Sequence, residues 1–508
     1  MDNSKQRKLG AILTYVSIIV STLIGLLYTP FLISKLGQSE YGLYSLVASV
    51  IGYLTILDFG FGNAIVVYTA KYREKKEFEN EKKLHGMFRI VYFIIGIVAG
   101  LIGIVLFLNV NNMFGNTMNS IEISKMRIMM LILTFNLAIS FIFNIYSSII
   151  NAYEKFVFQK LVSIVNSLIK PILMIPLLFM GYKSITMCLI ITFVNTIVLI
   201  SNYIYCNNKL KVKIKYNGFD KNIFKVIIGY SFWVFLAVIV DKINWSLDQF
   251  ILGSLCGTIA VSIYSVASQL NLLFINLSSV FASILLPKMS KMIVSNASSE
   301  EVSNVFIKVG RIQYYIIFLA VSNLVLFGKE FIYLWVGRNY ETSYYVALIL
   351  IIPVCIPLIQ NVGLSILQAM NKYKFKSIST FIMAIFNIII SYFLAKSYGP
   401  IGAAVGTAIA LIVCNIIIMN IYYLKVIKLY IGRFWLNILK MTLTFMIPLC
   451  FINTLIHFTK YSGLKALVTY GIIYTILFGL VSYFITMNDY EKQLVKKALN
   501  KFHIRKVK

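Results

Sequence analysis

The residues of this chain that could do chemistry are few and lie in apolar surroundings. In VDKINWSLDQF, Asp241, Asn244 and Asp248 stand at i, i+3 and i+7. That spacing puts two carboxylates and an amide on one helix face, with Lys242 turned about 100 degrees away. Oxygens so arranged can hold a proton or a hard cation, and the ammonium can grip an anion. Asp58 stands in LDFGFGNAI, where Gly60 and Gly62 permit a backbone break or a close helix approach and Asn63 adds an amide. Tyr264, Ser268 and Asn271 follow at i, i+4 and i+7, with Gln269 alongside; Gln360 and Asn361 come after Pro353 and Pro357, which should kink their helix. Lys170 precedes Pro171 in LIKPIL and is read as structural. Each of these groups also has a plainer reading, as hydrogen-bonding glue between helices or, for Asp248, as a hydrated helix end.

What must position them is a membrane. Of 508 residues 59% are hydrophobic and 13% charged, the mean hydropathy is +0.83, and a soluble surface needs roughly twice that charge. About 20 apolar residues cross a bilayer core as a helix, and fourteen runs of that order are read here. Asp58 falls in the second (41 to 69), Lys170 in the fifth (160 to 181), Asp241 to Asp248 in the seventh (223 to 253), Tyr264 to Asn271 in the eighth (258 to 286), and Gln360 and Asn361 in the tenth (343 to 370). The net charge of +29 would suggest a nucleic-acid partner in a soluble protein. Here 35 of the 47 Lys and Arg residues fall in breaks on the N-terminal side and nine on the other. This is the positive-inside bias, which places both termini in the cytoplasm and leaves no basic arm for nucleic acid. Arg89 and Arg311 stand at the cytoplasmic mouth. The first apolar run is too long for a cleavable leader and is expected to be retained.

Residues 31 to 49 resemble residues 250 to 268, AYEKFVF (152 to 158) matches AMNKYKF (369 to 375), and Asn202 and Tyr205 match Asn420 and Tyr423, all at offsets of 217 to 220. Six spans per copy is an even number, so both copies insert in the same orientation. The expected fold is all-α and polytopic: lobes at 1–217 and 218–430 around a central cavity, two appended helices at 431–490, and a basic cytoplasmic tail at 491–508. Lobes of this kind suit alternating access, and no carbonyl-lined filter of the TVGYG type is present for a channel. The six cysteines sit singly, without CxxC spacing, and are read as small buried hydrophobes; the three histidines form no cluster, so neither metal nor cofactor is expected.

GLYSLVAS, LDFGFGNAI followed by YTAKY, INWSLDQFILG with IYSVASQL, and FGKEFIYLWVGRNYETSYYVALILIIP followed by SILQAMNKYKF resemble, in order and spacing, the Wzx-type repeat-unit flippases of O-antigen and capsule biosynthesis. These belong to the multidrug/oligosaccharidyl-lipid/polysaccharide exporter (MOP) superfamily. The resemblance implies a cavity lined by spans 1, 2, 7 and 8 and passage of an undecaprenyl-diphosphate-linked oligosaccharide to the outer leaflet of the bacterial inner or plasma membrane. It also implies coupling to H+ or Na+, membrane lipids as surroundings, polysaccharide polymerase and chain-length machinery as partners, and a monomer sufficient for the pathway. Lys242 is then the central cation for the diphosphate, and Asp58, Asp241 and Asp248 are candidates for the coupling ion. Lipid II flippases carry arginines in spans 1 and 8, and this chain has none there. A drug or cation antiporter of the same superfamily is the alternative. An integral membrane glycan polymerase or ligase is a third reading, weakened because Glu122, Glu330 and Glu341 in the longest external breaks are not paired in sequence for acid–base work.

Overall fold

In a computed structural model of the chain, residues 3–504 are described except 213, 215–217, 296, 371 and 460–462. Lys213, Lys215, Lys460, Arg505, Lys506 and Lys508 of the charge pattern lie outside the described residues, and so do the side chains of Lys5, Arg7, Lys8, Lys288 and Lys501. The described chain is all helical: α1 (Asn3–Leu36), α2 (Gln38–Tyr53), α3 (Phe61–Glu74), α4 (Phe78–Phe114), α5 (Ser120–Ala152), α6 (Phe156–Phe179), α7 (Ser184–Ile204) and α8 (Lys221–Val294). There follow α9 (Ser299–Val336), α10 (Glu341–Ile359), α11 (Val362–Ala369), α12 (Tyr373–Leu411), α13 (Met419–Tyr422), α14 (Ile431–Thr459), α15 (Leu464–Val481) and α16 (Asp489–Ile504).

Twelve apolar helical stretches among the described residues are long enough to cross a membrane, and two of them are too long for one crossing. Val234–Asn276 has 43 residues and Tyr373–Ile427 has 55, whereas a bilayer core takes about 20. Each is folded back at a glycine with positive φ, Gly257 at 82° and Gly399 at 56°, a conformation that a Cβ would oppose. Divided at these glycines, the twelve stretches among the described residues give fourteen helices long enough to cross a membrane. Long apolar side chains such as Ile12, Ile19, Leu23 and Leu27 along α1 stay exposed, which suits hydrocarbon rather than water as the solvent.

The chain packs as two compact units, one of Met1–Val266 with Thr380–Thr407 and the other of Ala267–Ser379 with Ala408–Lys508. In the first, Phe61, Phe88, Tyr92, Phe141 and Ile149 build the main apolar core. In the second, Tyr315, Phe445, Tyr474 and Phe478 join α9, α14 and α15. The internal repetition reappears as local geometry. π-Helical turns at Tyr205–Lys209 and Tyr423–Ile427 end spans 6 and 12, each followed by a left-handed lysine, Lys211 and Lys428. Rings stack at matching places, Phe158 on Tyr205 at 3.8 Å and Phe375 on Tyr422 at 4.0 Å. Of the cysteines, Cys256 and Cys450 are exposed, which departs from the expectation that all six are buried.

Candidate functional site

Asp58 owes its position to a broken helix. α2 ends in a 3-10 turn, Leu54–Asp58, and Phe59 and Gly60 then take left-handed φ values of 50° and 74° before α3 starts. The break aims the Asp58 carboxylate back into the bundle. It accepts hydrogen bonds from the Tyr92 hydroxyl at 2.8 Å, the Asn144 amide at 3.0 Å and, more weakly, the Gly62 N–H at 3.5 Å. Asp58 borders a cavity of about 390 Å³ lined also by Gln159, Asn166, Asn195 and Asn202. The amide oxygens of Asn166 and Asn202 are buried there without a hydrogen-bond partner.

The most enclosed carboxylate is Asp248, 1% exposed on the first arm of α8. It accepts from the hydroxyl of Tyr264, on the second arm of α8, and from Thr407 Oγ1 at 2.7 Å. Thr407 also reaches Asn387 Oδ1 at 3.2 Å, Ser391 donates to that oxygen at 2.8 Å, and Ser391 lies 3.2 Å from the Ala403 carbonyl. The two arms of α12 come this close because residue 406 is glycine. A Cβ there would lie 2.4 Å from Ser391 Oγ, nearer than side chains tolerate. One carboxylate, three hydroxyls, an amide oxygen and a backbone carbonyl thus converge from both folded-back helices, a donor set of hard oxygens.

The remaining sequence-derived residues divide. Asp241 is exposed and Asn244 half-buried, so the stripe of 241, 244 and 248 faces three different environments. Lys242 is half-buried on α8, its Nζ 3.8 Å from where a Cβ on Gly52 of α2 would stand. Asn63 is exposed; Ser268 and Gln269 are half-buried. Asn271 is buried with an unpartnered Oδ1. Tyr264 is 2% exposed and engaged with Asp248, so it belongs to the carboxylate cluster instead of an open lining. Gln360 and Asn361 form the break between α10 and α11 and are buried; Gln360 donates to Asn420 Oδ1 at 2.8 Å, which Trp435 Nε1 also approaches at 3.1 Å. Arg89 is exposed. Arg311 is buried, bound by Glu491 at 2.7 and 2.9 Å, Asn437 at 3.1 Å and the Thr486 carbonyl at 2.8 Å, so its guanidinium fastens α16 to α9. Sequence reasoning missed Tyr92, Asn144, Asn387, Ser391 and Thr407. The available signal was the i, i+4 spacing of Asn387 and Ser391 in an otherwise apolar run.

The described chain is thus a bundle of apolar helices, two of them folded back at glycines, with carboxylates enclosed among them. Residues 8–293 match the model of the polysaccharide biosynthesis protein family, and the chain belongs to that family. It is 22% identical over 413 residues to a Shigella flexneri protein described as an O-antigen transporter, an alignment covering 79% of this chain and 94% of that one. Among solved structures, an inward closed conformation of the lipid II flippase MurJ superposes with a TM-score of 0.72 at 17% identity, over 94% of this chain and 98% of that one. An inward-facing MATE multidrug resistance transporter of the MOP superfamily gives 0.64 at 16% identity, over 80% and 98%. These likenesses establish the fold.

Proposed function

We propose that the chain is a flippase that carries undecaprenyl-diphosphate-linked oligosaccharide units from the cytoplasmic to the outer leaflet of a bacterial plasma membrane by alternating access, with both termini cytoplasmic. The observation that carries this is the pairing, on one membrane helix of a polysaccharide biosynthesis protein, of a half-buried ammonium, Lys242, with a fully enclosed carboxylate, Asp248. An intramembrane cation suits an anionic headgroup, and a buried carboxylate among hydroxyl and amide oxygens suits a coupling ion, H+ or Na+. The two tasks fall to separate residues, since Asp248 is engaged by Tyr264 and Thr407 while Lys242 borders α2.

The test is reconstitution. The purified chain in phospholipid vesicles should translocate a fluorescent undecaprenyl-diphosphate oligosaccharide and should not extrude ethidium. Lys242→Ala should cut translocation at least about tenfold, the size expected for one lost charge-assisted contact, with membrane insertion unchanged. Ethidium extrusion without glycolipid movement would instead establish a drug antiporter.

A further inference from the structure

Lys170 is an intramembrane cation that the site above does not use. It sits on α6 just before Pro171 and lines a pocket of about 320 Å³ in the first unit, together with Ser21 and Tyr28 of α1, Tyr44 of α2 and Ser167. No carboxylate is among the described residues lining that pocket. Ammonium groups inside membrane spans normally face a carboxylate, a carbonyl cage or a wet cavity, and this one shares its pocket with hydroxyl-bearing residues.

The repeat makes the arrangement more pointed. Continuing the ungapped match of Phe158 with Phe375 along spans 5 and 11 aligns Lys170 with Asn387, while the matched Tyr-Ser pairs align Tyr44 with Tyr264. Asn387 and Tyr264 both belong to the Asp248 cluster. The same pair of positions therefore lines the Lys170 pocket in the first copy and belongs to the closed Asp248 cluster in the second. The second-copy cluster carries a carboxylate, and the first-copy pocket carries an ammonium. Twin sites of opposite charge should take ligands of opposite charge.

We propose that the Lys170 pocket binds a phosphate or diphosphate group, held by the ammonium with tyrosine and serine hydroxyls as supporting donors. Such a group is dianionic or nearly so near neutral pH and accepts several hydrogen bonds. That the anion is the headgroup of the transported lipid rests on the flippase reading; the anion site itself does not.

The experiment measures binding of farnesyl diphosphate, farnesol and inorganic diphosphate to the purified full chain in phosphatidylcholine nanodiscs. Wild type should bind farnesyl diphosphate, Lys170→Met should weaken this at least about tenfold, Lys170→Arg should retain most of it, and farnesol binding should be indifferent to both changes. Competition by inorganic diphosphate would assign the site to the free anion, and its absence to the prenyl-linked form; both outcomes support an anion site. Tyr44→Phe, which keeps the packing, should weaken binding by a smaller factor and guards against loss of fold in the lysine variants. Equal binding by wild type and folded Lys170→Met would overturn the proposal. Diphosphate binding that depends on Lys170 in a chain that moves no glycolipid would sink the flippase reading and leave this site standing; glycolipid movement by a chain whose farnesyl diphosphate binding is indifferent to Lys170→Met would do the reverse.

Discussion

Asp58 and Asp248 are the same residue in two kinds of confinement, and their variants should fail differently. Asp58 is satisfied by three neutral donors at a helix break. Asp58→Asn can keep its oxygen on Tyr92 and Asn144, which share Oδ1, but sets its N–H groups against the Gly62 N–H, costing about 1–3 kcal/mol for the groups left unmet; a lower melting temperature with unaltered ion dependence is expected. Asp248→Asn keeps a side chain of equal size and an oxygen for Thr407 while removing the charge. Translocation by that variant should no longer respond to an imposed sodium or proton gradient, with melting little changed; a normal gradient response in vesicles would remove Asp248 from coupling. Both aspartates were legible in the sequence because a carboxylate in an apolar run is costly and therefore conspicuous. Their partners were not. Thr407 lies 159 residues from Asp248 and Asn144 lies 86 from Asp58, and a hydroxyl or amide in a membrane helix is too common to single out alone.

Among the elements, hydropathy marks the crossings because each must span the same thickness, and the breaks near residues 253 to 258 and 396 to 400 coincide with the turns at Gly257 and Gly399. The C-terminal segment was less legible. Charge alone suggests a basic tail from residue 491, yet Asp489–Ile504 forms a helix opened by a reciprocal cap between Asn488 and Glu491. Glu491 is 2% exposed and Arg311 9%, and Tyr315 adds a hydroxyl to the same carboxylate at 3.2 Å. An arginine at a span end reads as a free cation until its partner, 180 residues on, is known. Removing one member of a buried, multiply hydrogen-bonded pair costs about 3–5 kcal/mol, whereas replacing both by apolar residues costs far less. Glu491→Ala should therefore lower the melting temperature markedly, and Arg311→Met combined with Glu491→Leu should recover most of it. Equal melting of the single and double variants would show that the pair does not hold α16.

At the scale of the molecule, alternating access requires that contacts holding one end of the pathway shut be few and reversible. At the end of the bundle where α1 gives way to α2, Ser39 and Thr258 lie 3.2 Å apart through their hydroxyls and are 219 residues apart in sequence, the offset of the repeat. Residues one repeat offset apart thus meet between α2 and α8. Both donate to one carboxylate oxygen of Glu122, which also caps its own helix α5 through Asn119. Thr117 adds a bond to the Gly253 carbonyl at 2.8 Å, and Gly42 lets α2 lie directly against the Thr258 carbonyl. The polar contacts of this cluster centre on one acidic group, Glu122. Its opening should be obligatory for turnover if the cargo leaves there. In a chain with the exposed Cys256 and Cys450 changed to serine, Ser39→Cys with Thr258→Cys brings two thiols within disulfide reach. Oxidation should then arrest glycolipid translocation in vesicles and reduction should restore it, while either single cysteine stays active under oxidation. Full translocation by the cross-linked chain, verified as intramolecularly bridged, would mean that α2 and α8 never separate at this end and that the cargo takes another route.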